Sequence, residues 1–381
     1  MPAQCISLFL LKRCINMTKL GFSFSKLPLL NKKDERSIDY AALNSLVDLF
    51  IEKGGRYFDT AFTYLGGASE EAIRLSLCER YPRESFILSD KLPSWLLQNR
   101  GDCKKIFEKQ LFRLGVDFFD VYMIHWLNEA NYINAEFCGA FDFLEEIRAE
   151  GKAIKTGFSF QGTPELLEKI LLKHGEIDFV ELQINYLDWE SPALLAKECY
   201  EIAKKHGKKI IVTEPFKGKS LVKLPAEAEK LFSEKGILPA DGALRFAKNL
   251  PNVEKVLCQI ETAEQLLENL EASAPLSEEE TSLLFKAAEI IRLEKAVPCA
   301  GCSGCENLCP IRIPIPKYFE IYNEYSRNPE ESWKIEPSYS SLTQKFSRPS
   351  DCMRCHLCES ACPQNISIIE TLQRVARTFG F

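Results

Sequence analysis

The chain lacks several features that would assign it to common classes of protein. Its 381 residues carry a net charge of −6 without a pronounced lysine and arginine cluster, so neither nucleic acid nor an anionic membrane is an expected partner. No hydrophobic run is long enough to span a bilayer. The short apolar stretch 6–11 has no basic residues ahead of it and is not typical of a signal peptide. These absences favour a cytoplasmic protein.

Residues 1–16 are set apart from the expected fold. Met17 offers a second start, and we expect the stretch before it to be disordered or to come from a misassigned initiation codon.

Seven of the fifteen cysteines are scattered along the chain and show no regular spacing from one another. Scattered cysteines are typical of reduced, buried thiols in a reducing compartment. These seven are Cys5, Cys14, Cys78, Cys103, Cys138, Cys199 and Cys258.

The other eight cysteines form two copies of the pattern CxxCxxCxxxCP. The copies are Cys299, Cys302, Cys305 and Cys309, followed by Cys352, Cys355, Cys358 and Cys362. In two-cluster ferredoxins the cysteine before proline binds the other cluster. The pattern therefore predicts two [4Fe–4S] clusters, the first held by 299, 302, 305 and 362 and the second by 352, 355, 358 and 309. Zinc is the alternative metal, but its structural sites usually use separated CxxC or Cys/His pairs.

From about residue 18 to 270, short β-rich runs alternate with amphipathic helical stretches. The strand candidates are 20–24, 57–59, 86–90, 119–125, 154–159, 179–185, 209–213 and 255–258. The helical candidates include 38–51 and 137–147, where Phe137, Ala140, Phe141, Leu144 and Ile147 recur on one face. Eight such units predict a closed (β/α)8 barrel. An open doubly wound sheet is the alternative, but no GxGxxG follows the first strand.

The composition changes after the eighth unit. We expect residues 17–290 to form the barrel and residues 291–381 to form a small, mainly α-helical, ferredoxin-like dicluster domain. Helices are predicted over 278–294 and 315–325.

Four polar residues fall at or near the predicted carboxyl ends of neighbouring strands. Asp59 ends the second strand and Tyr64 follows in the next loop, while Lys91 and His125 end the third and fourth. In (β/α)8 barrels these ends meet at one mouth, where active sites are built. Taken alone, each of these residues could have a purely structural role, as a helix cap, a solvated charge or a core residue. Trp95, Trp126 and Tyr132 fall in loops expected to ring the same mouth.

The residues from 19 to about 269 resemble the aldo/keto reductases. The matching segments are FDTAFTY at 58–64, GGASEEAI at 66–73, LSDK at 88–91, DVYMIHW at 120–126, KTGFS at 155–159, QINY at 183–186 and EQLLEN at 264–269. The resemblance implies that Tyr64 protonates a carbonyl oxygen while the nicotinamide delivers hydride. It implies that Lys91 lowers the pKa of that phenol, that Asp59 holds Lys91, and that His125 orients the carbonyl.

The resemblance also assigns a nucleotide site, with departures. Ser159 and Gln183 would hold the nicotinamide carboxamide, and the turn Pro215, Phe216 and Gly218 would cover the pyrophosphate. The family usually has asparagine where Phe160 stands and an aromatic where Thr213 stands.

At the adenosine end, the resemblance implies contacts from Glu261, Gln265 and Asn269. The carboxylate of Glu261 would repel a 2′-phosphate and accept hydrogen bonds from a ribose hydroxyl, which favours NAD over NADP.

A barrel of this family with a ferredoxin-like tail resembles an iron–sulfur subgroup of aldo/keto reductases. The leading hypothesis is an oxidoreductase acting on a small carbonyl or alcohol, with two [4Fe–4S] clusters that exchange electrons with it. No flavin motif is visible, so a separate ferredoxin or flavoprotein is a candidate redox partner. The alternatives are an electron-transfer protein whose barrel is a scaffold, and clusters that only stabilise the small domain.

Overall fold

The computed structural model describes residues 18–191, 194–294, 296–327 and 332–380. The stretch 1–16, expected to be disordered or misassigned, lies outside the described residues. Eight parallel strands close into a barrel in sequence order, with β1 pairing with β8. The strands are β1 Leu20–Ser23, β2 Tyr57–Asp59, β3 Ile87–Pro93, β4 Phe119–Leu127, β5 Ala153–Phe160, β6 Phe179–Gln183, β7 Lys209–Thr213 and β8 Val253–Gln259. The predicted (β/α)8 fold is confirmed.

Helices follow the strands along the chain. In the barrel region they are Tyr40–Glu52, Ser69–Ile73, Arg100–Leu114, Glu129–Phe137, Ala140–Ala149, Pro164–Lys173, Ala196–Lys205, Ala226–Glu234, Pro239–Asn249 and Ala263–Glu271. The C-terminal helices are Glu278–Glu294, Gly304–Leu308, Ile315–Arg327, Ser332–Lys345, Leu357–Ser360 and Ile368–Thr378. None of the helices in the described ranges combines the length and apolar character needed to cross a membrane.

Local sequence explains several helix ends. The Asp39 side chain accepts a hydrogen bond from the backbone N–H of Ala42, which satisfies one open donor of the first helix. Asn99 and Asp102 form a reciprocal capping box at the start of Arg100–Leu114. That helix ends at Gly115, whose φ of 67° is left-handed and is tolerated best by glycine.

The barrel interior is filled by inward-pointing side chains at every second strand position. The lower interior holds Tyr57, Val121, Met123, Phe179, Ile211 and Leu257. At Gly157 on β5, an added Cβ would lie 2.3 Å from the carbonyl oxygen of Phe179, so only glycine fits between these strands.

The helix expected over 137–147 is wrong in its bounds. Phe137 ends the preceding helix and is 72% exposed, although it was expected on the buried stripe. Gly139, with φ of 66°, separates it from Ala140–Ala149, which buries Phe141, Leu144 and Ile147 as expected.

Contacts between residues group the chain into two compact units. The first consists of residues 18–184, Ala196–Pro215 and Leu244–Pro275, and contains all eight strands. The second consists of Asn185–Leu195, Phe216–Ala243 and the C-terminal region from Leu276. Its core gathers Val297, Ile313, Tyr318, Leu372 and Val375 around the buried Cys305 and Cys358. The division of the chain near residue 290 stays a prediction.

Candidate active site and cluster sites

Asp59 and Lys91 form a fully buried ion pair on neighbouring strands. The Lys91 Nζ lies 2.6 and 2.7 Å from the two carboxylate oxygens of Asp59, and both side chains are completely inaccessible to solvent. The same Nζ donates to the Tyr64 hydroxyl at 3.3 Å. The sheet therefore brings together three of the four residues expected at the mouth, although β3 continues to Pro93 and so places Lys91 inside the strand rather than at its end.

The fourth residue, His125, meets the phenol edge to face. Its ring centroid lies 5.8 Å from that of Tyr64 at an interplanar angle of 83°. Trp95 packs on the histidine at 5.1 Å and on Trp126 at 5.4 Å, as expected for residues that ring the mouth. Tyr132, expected in the same ring, is instead buried against Phe141.

Left-handed backbone conformations position two of these side chains. Directly after Tyr64, Leu65 and Gly66 have φ values of 52° and 59°, and Trp126, directly after His125, has a φ of 59°. A large side chain such as leucine or tryptophan rarely adopts this region, and such strain is concentrated at functional sites. The turn after β2 and the C-terminal end of β4 therefore carry a conformational cost that packing must offset.

The pKa values of the site residues are set by burial and by the charge of Lys91. Burial opposes the charge on Lys91, but Asp59, Glu181 and Tyr64 together hold its pKa well above the usual value. Burial raises the pKa of Tyr64, and the Lys91 ammonium only partly counters this rise. The phenol is therefore protonated at neutral pH, and the net pKa shift is upward although Lys91 lowers it as the resemblance implies. Burial, helped by Lys91, holds the pKa of His125 well below its usual value, so this imidazole is neutral.

Glu181 is a member of this group that sequence reasoning missed. Its carboxylate on β6 is 4% exposed and its Oε2 lies 3.5 Å from Lys91 Nζ. A signal was present, because Glu181 stands two residues before Gln183, and alternate residues of a strand share a face. A lone carboxylate in the otherwise apolar start of β6 was the feature to notice.

Two residues expected to hold the nicotinamide carboxamide lie on adjacent strands β5 and β6. The Ser159 hydroxyl accepts the backbone N–H of Trp126 at 2.6 Å. The Gln183 Nε2 is buried and has no hydrogen-bond partner among the described residues. An orphaned buried amide donor is costly and usually awaits a ligand or water, so these residues fit a carboxamide oxygen. The roles of Ser159 and Gln183 at a nicotinamide stay predictions.

The turn after β7 has a partly left-handed backbone. Pro215 is buried in the first unit, whereas Phe216 and Gly218 belong to the second. Within the second unit, Lys217 is buried and paired with the Asp188 carboxylate. Gly218 has a φ of 64°, and an added Cβ there would lie 2.7 Å from the Ala300 carbonyl oxygen, so glycine is required for both reasons.

At the predicted adenosine end, Glu261 is paired with a cation. Its Oε2 lies 3.0 Å from Lys26 Nζ. Gln265 caps the following turn, since its Oε1 accepts the Glu261 backbone N–H at 2.9 Å. Asn269 is buried and its carbonyl accepts Lys248 Nζ at 2.6 Å. These bonds of Gln265 and Asn269 are internal to the fold, and the nucleotide roles of both residues stay predictions.

Two small cavities in the second unit are each lined by four cysteines. The first is lined by Cys299, Cys302, Cys305 and Cys362, and the second by Cys309, Cys352, Cys355 and Cys358. Each cavity therefore takes three cysteines from one motif and the fourth from the other. This grouping matches the two predicted ligand sets and supports them.

The two motifs repeat the same backbone path. Left-handed residues occur at equal distances from the first cysteine of each motif: Gly301, Ser303 and Arg312 in the first, Arg354, His356 and Asn365 in the second. Five of these six have φ between 53° and 71° and Asn365 has 48°. Because non-glycine residues seldom adopt this region, the repetition shows that both loops have the same backbone conformation at these positions.

The donor set fits an iron–sulfur cluster better than a single metal ion. Among the described residues, no three His, Cys, Asp or Glu side chains converge closely enough to hold one ion. Zinc would draw four thiolates to about 2.3 Å from one centre. Backbone N–H groups of Gly301 and Ile313 point at the sulfurs of Cys299 and Cys309, both at 3.4 Å. Such N–H···S bonds tune cluster potentials.

Comparisons with known proteins agree with both regions. Residues 29–289 match the model of the aldo/keto reductase family, and residues 298–367 match that of the 4Fe-4S dicluster domain. An aldo-keto reductase from Mycolicibacterium paratuberculosis is 26% identical over 222 residues, covering 58% of this chain and 72% of that protein. An NADH-specific methylglyoxal reductase from Escherichia coli is 25% identical over 163 residues, covering 37% of this chain and 48% of that protein.

A solved structure shows the same barrel. An aldo/keto reductase from Klebsiella pneumoniae, in complex with NADP and acetate, superimposes with a TM-score of 0.57 at 18% identity. The match covers 71% of this chain and 91% of that one. One of these proteins is named for NADH and another holds NADP, so the comparisons give no support to a preference for NAD.

Proposed function

Because this chain belongs to the aldo/keto reductase family and carries a 4Fe-4S dicluster domain, we propose that it reduces a small carbonyl compound, or oxidises the matching alcohol, at the barrel mouth. The observation that carries this proposal is the Tyr64 hydroxyl lying 3.3 Å from Lys91 Nζ, with Lys91 fixed by the buried Asp59.

The residues divide the work by their charge and position. Tyr64 is protonated and sits at the partly exposed mouth, so it can donate its proton to an incoming carbonyl oxygen. Lys91 stabilises the phenolate that this leaves, and Asp59 keeps the ammonium in place. The neutral His125 can hydrogen-bond the same oxygen and orient it.

The bound cofactors would supply the electrons. A nicotinamide dinucleotide provides hydride, and [4Fe–4S] clusters exchange single electrons. Ser159 and the orphaned amide of Gln183 would hold the carboxamide, and Phe160 and Thr213 make that hold weaker than the family pattern. Pro215, Phe216 and Gly218 would contribute at the pyrophosphate. We retain NAD as the favoured nucleotide only as a proposal that rests on Glu261.

We further propose that the clusters carry electrons to or from a separate ferredoxin or flavoprotein. The grouping of the eight cysteines into two cavities supports the ligand sets. A cytoplasmic, reducing location fits the cysteines of the described ranges, none of which is paired in a disulfide.

The decisive experiment is Tyr64→Phe in the intact, anaerobically purified protein. Turnover of a carbonyl substrate found by screening should fall at least about 10²-fold, because Tyr64 is the proton donor that the resemblance assigns. Cluster absorption should stay unchanged. Tyr81→Phe is the matched control, since Tyr81 bonds Asp48 outside the site and its loss should leave turnover intact. Unchanged activity in Tyr64→Phe would instead favour a barrel that serves as a scaffold for electron transfer.

A further inference from the structure

Glu181 points into the barrel directly beneath the candidate active site. In β6 it pairs with Ser159 of β5 on one side and Ile211 of β7 on the other. Residues 179, 181 and 183 share the inward face, so Glu181 lies between the apolar layer of Phe179 and the amide of Gln183. Its position is fixed by the sheet rather than by a loop.

Burying a second carboxylate there has no structural explanation. Lys91 is already neutralised by Asp59, whose two oxygens lie 2.6 and 2.7 Å from Nζ. The contact of Glu181 at 3.5 Å is longer than a strong charge-assisted hydrogen bond, and Oε2 has no other partner among the described residues. A buried, poorly compensated carboxylate destabilises a fold, and apolar residues fill such positions at lower cost.

The groups that face Glu181 are those of the candidate active site. From β3 comes Lys91, from β2 come Asp59 and Tyr57, and from the loop after β2 comes Tyr64. The inward residues at its register on β5 and β7, Ser159 and Ile211, carry no charge. The charge on Glu181 therefore acts on a single cation and the phenols beside it.

We propose that Glu181 is a positioning residue whose negative charge competes with Tyr64 for the Lys91 ammonium and so sets how readily the phenol gives its proton to the substrate. The inference rests on the proposed function for the carbonyl that receives this proton. A carboxylate beside Lys91 takes up part of the ammonium field and repels a phenolate. Tyr64 therefore releases its proton less readily than it would beside Lys91 and Asp59 alone.

Burial places the pKa of Glu181 within the pH range in which the protein can be assayed. Desolvation raises the pKa of Glu181 to about 7, against the lowering effect of Lys91. Below that pH Glu181 is neutral and Lys91 acts on the phenol with Asp59 alone. Above it the second negative charge appears and phenolate formation becomes harder. Proton donation by Tyr64 should therefore be faster below this pH than above it.

The test compares charge with shape at this position. Glu181→Gln keeps the shape and removes the charge, Glu181→Asp keeps the charge and shortens the side chain, and Glu150→Gln removes an exposed carboxylate elsewhere. The readout is the pH titration of the Tyr64 phenol by tyrosine 13Cζ NMR, with the signal assigned from Tyr64→Phe. In Glu181→Gln the phenol should ionise about one pH unit lower. Glu181→Asp and Glu150→Gln should titrate like the parent.

Activity supplies the second arm. In Glu181→Gln the kcat for carbonyl reduction at pH 8 should rise by up to about tenfold if proton donation limits turnover, and the fall in kcat above about pH 7 should be lost. The proposal is overturned if the Gln variant titrates like the parent, or if Asp disturbs the phenol and Gln does not. If Gln fails to fold, a displaced phenol titration in the Asp variant overturns it. If no carbonyl is turned over by the parent, the proposed function fails while the NMR arm still decides the role of Glu181.

Discussion

The barrel mouth and the cysteine loops solve the same problem, holding reactive groups at fixed positions, by different means. At the mouth, Asp59, Lys91 and Glu181 come from β2, β3 and β6, and hydrogen-bonded strands set the distances between them. In the cysteine region the ligand positions come from two short repeated loops, each with one short helix, that are not paired into a sheet.

The difference shows where the ordering free energy comes from. The barrel buries a large continuous core, which can offset the cost of buried charges and left-handed turns. The core of the C-terminal region is small and includes the sulfurs themselves, with Cys305 and Cys358 buried at its centre. Bonds from sulfur to iron would replace the hydrogen-bonded frame that the barrel already has.

The strongest test of this contrast removes thiols from both cavities. The double substitution Cys305→Ser and Cys358→Ser takes one buried ligand from each predicted set. We expect loss of cluster absorption and rapid proteolysis within the region from Leu276, because its core depends on the clusters. Limited proteolysis followed by mass spectrometry measures this.

Cys199→Ser is the matched control for that experiment. Cys199 is buried in the barrel and lies outside both motifs, so its substitution should leave clusters and protease resistance intact. A C-terminal region that stays resistant without its clusters would show that the two regions are ordered in the same way.

A smaller effect is expected from breaking the buried ion pair of the barrel. Asp59→Asn leaves Lys91 buried with only the more distant Glu181 carboxylate, so the free energy of unfolding should fall by about 3–5 kcal/mol. Denaturant titration followed by circular dichroism measures it. Asp142→Asn breaks a surface pair with Arg100 in which both side chains are at least 70% exposed, and should cost under about 1 kcal/mol. Equal losses in the two variants would mean that burial adds nothing to the pair.

Sequence patterns were informative where spacing alone carries geometry. Alternating strand and helix signals predicted the barrel, and fixed cysteine spacing predicted the two ligand groups. The period-two alternation of strand residues also indicated that Glu181 lies on the same inward face as Gln183. That residue was missed because a carboxylate acquires meaning only when its neighbours across the barrel are known, and Lys91 lies three strands away.

Other features could not be read from spacing. The net pKa of Tyr64 depends on burial, which opposes the effect of Lys91 and cannot be judged from the sequence. The break at Gly139 exposes Phe137, although the apolar residues on either side fit one helical stripe. The partner of Glu261 is Lys26, and the closure of β1 on β8 brings these distant parts of the sequence together.

The smallest predicted effect concerns that last pair. The sequence favoured NAD because a carboxylate repels a 2′-phosphate, but Lys26 lies 3.0 Å from Glu261 and offsets its charge. With side chains 40% and 30% exposed, such a pair contributes up to about 1 kcal/mol, roughly fivefold in an equilibrium constant. Discrimination between NADH and NADPH should therefore be slight in the parent protein.

Removing either partner should shift the preference in opposite directions. Glu261→Gln leaves the Lys26 cation and should favour NADPH about two- to fivefold, whereas Lys26→Gln leaves the carboxylate and should favour NADH by a similar factor. Anaerobic titrations of both nucleotides at two salt concentrations measure the ratio, which should shrink at high salt because the pair is exposed. If both variants shift the ratio the same way, or neither does, this pair does not face the ribose of the adenosine. The Lys26–Glu261 pair would then play no part in selecting between NADH and NADPH.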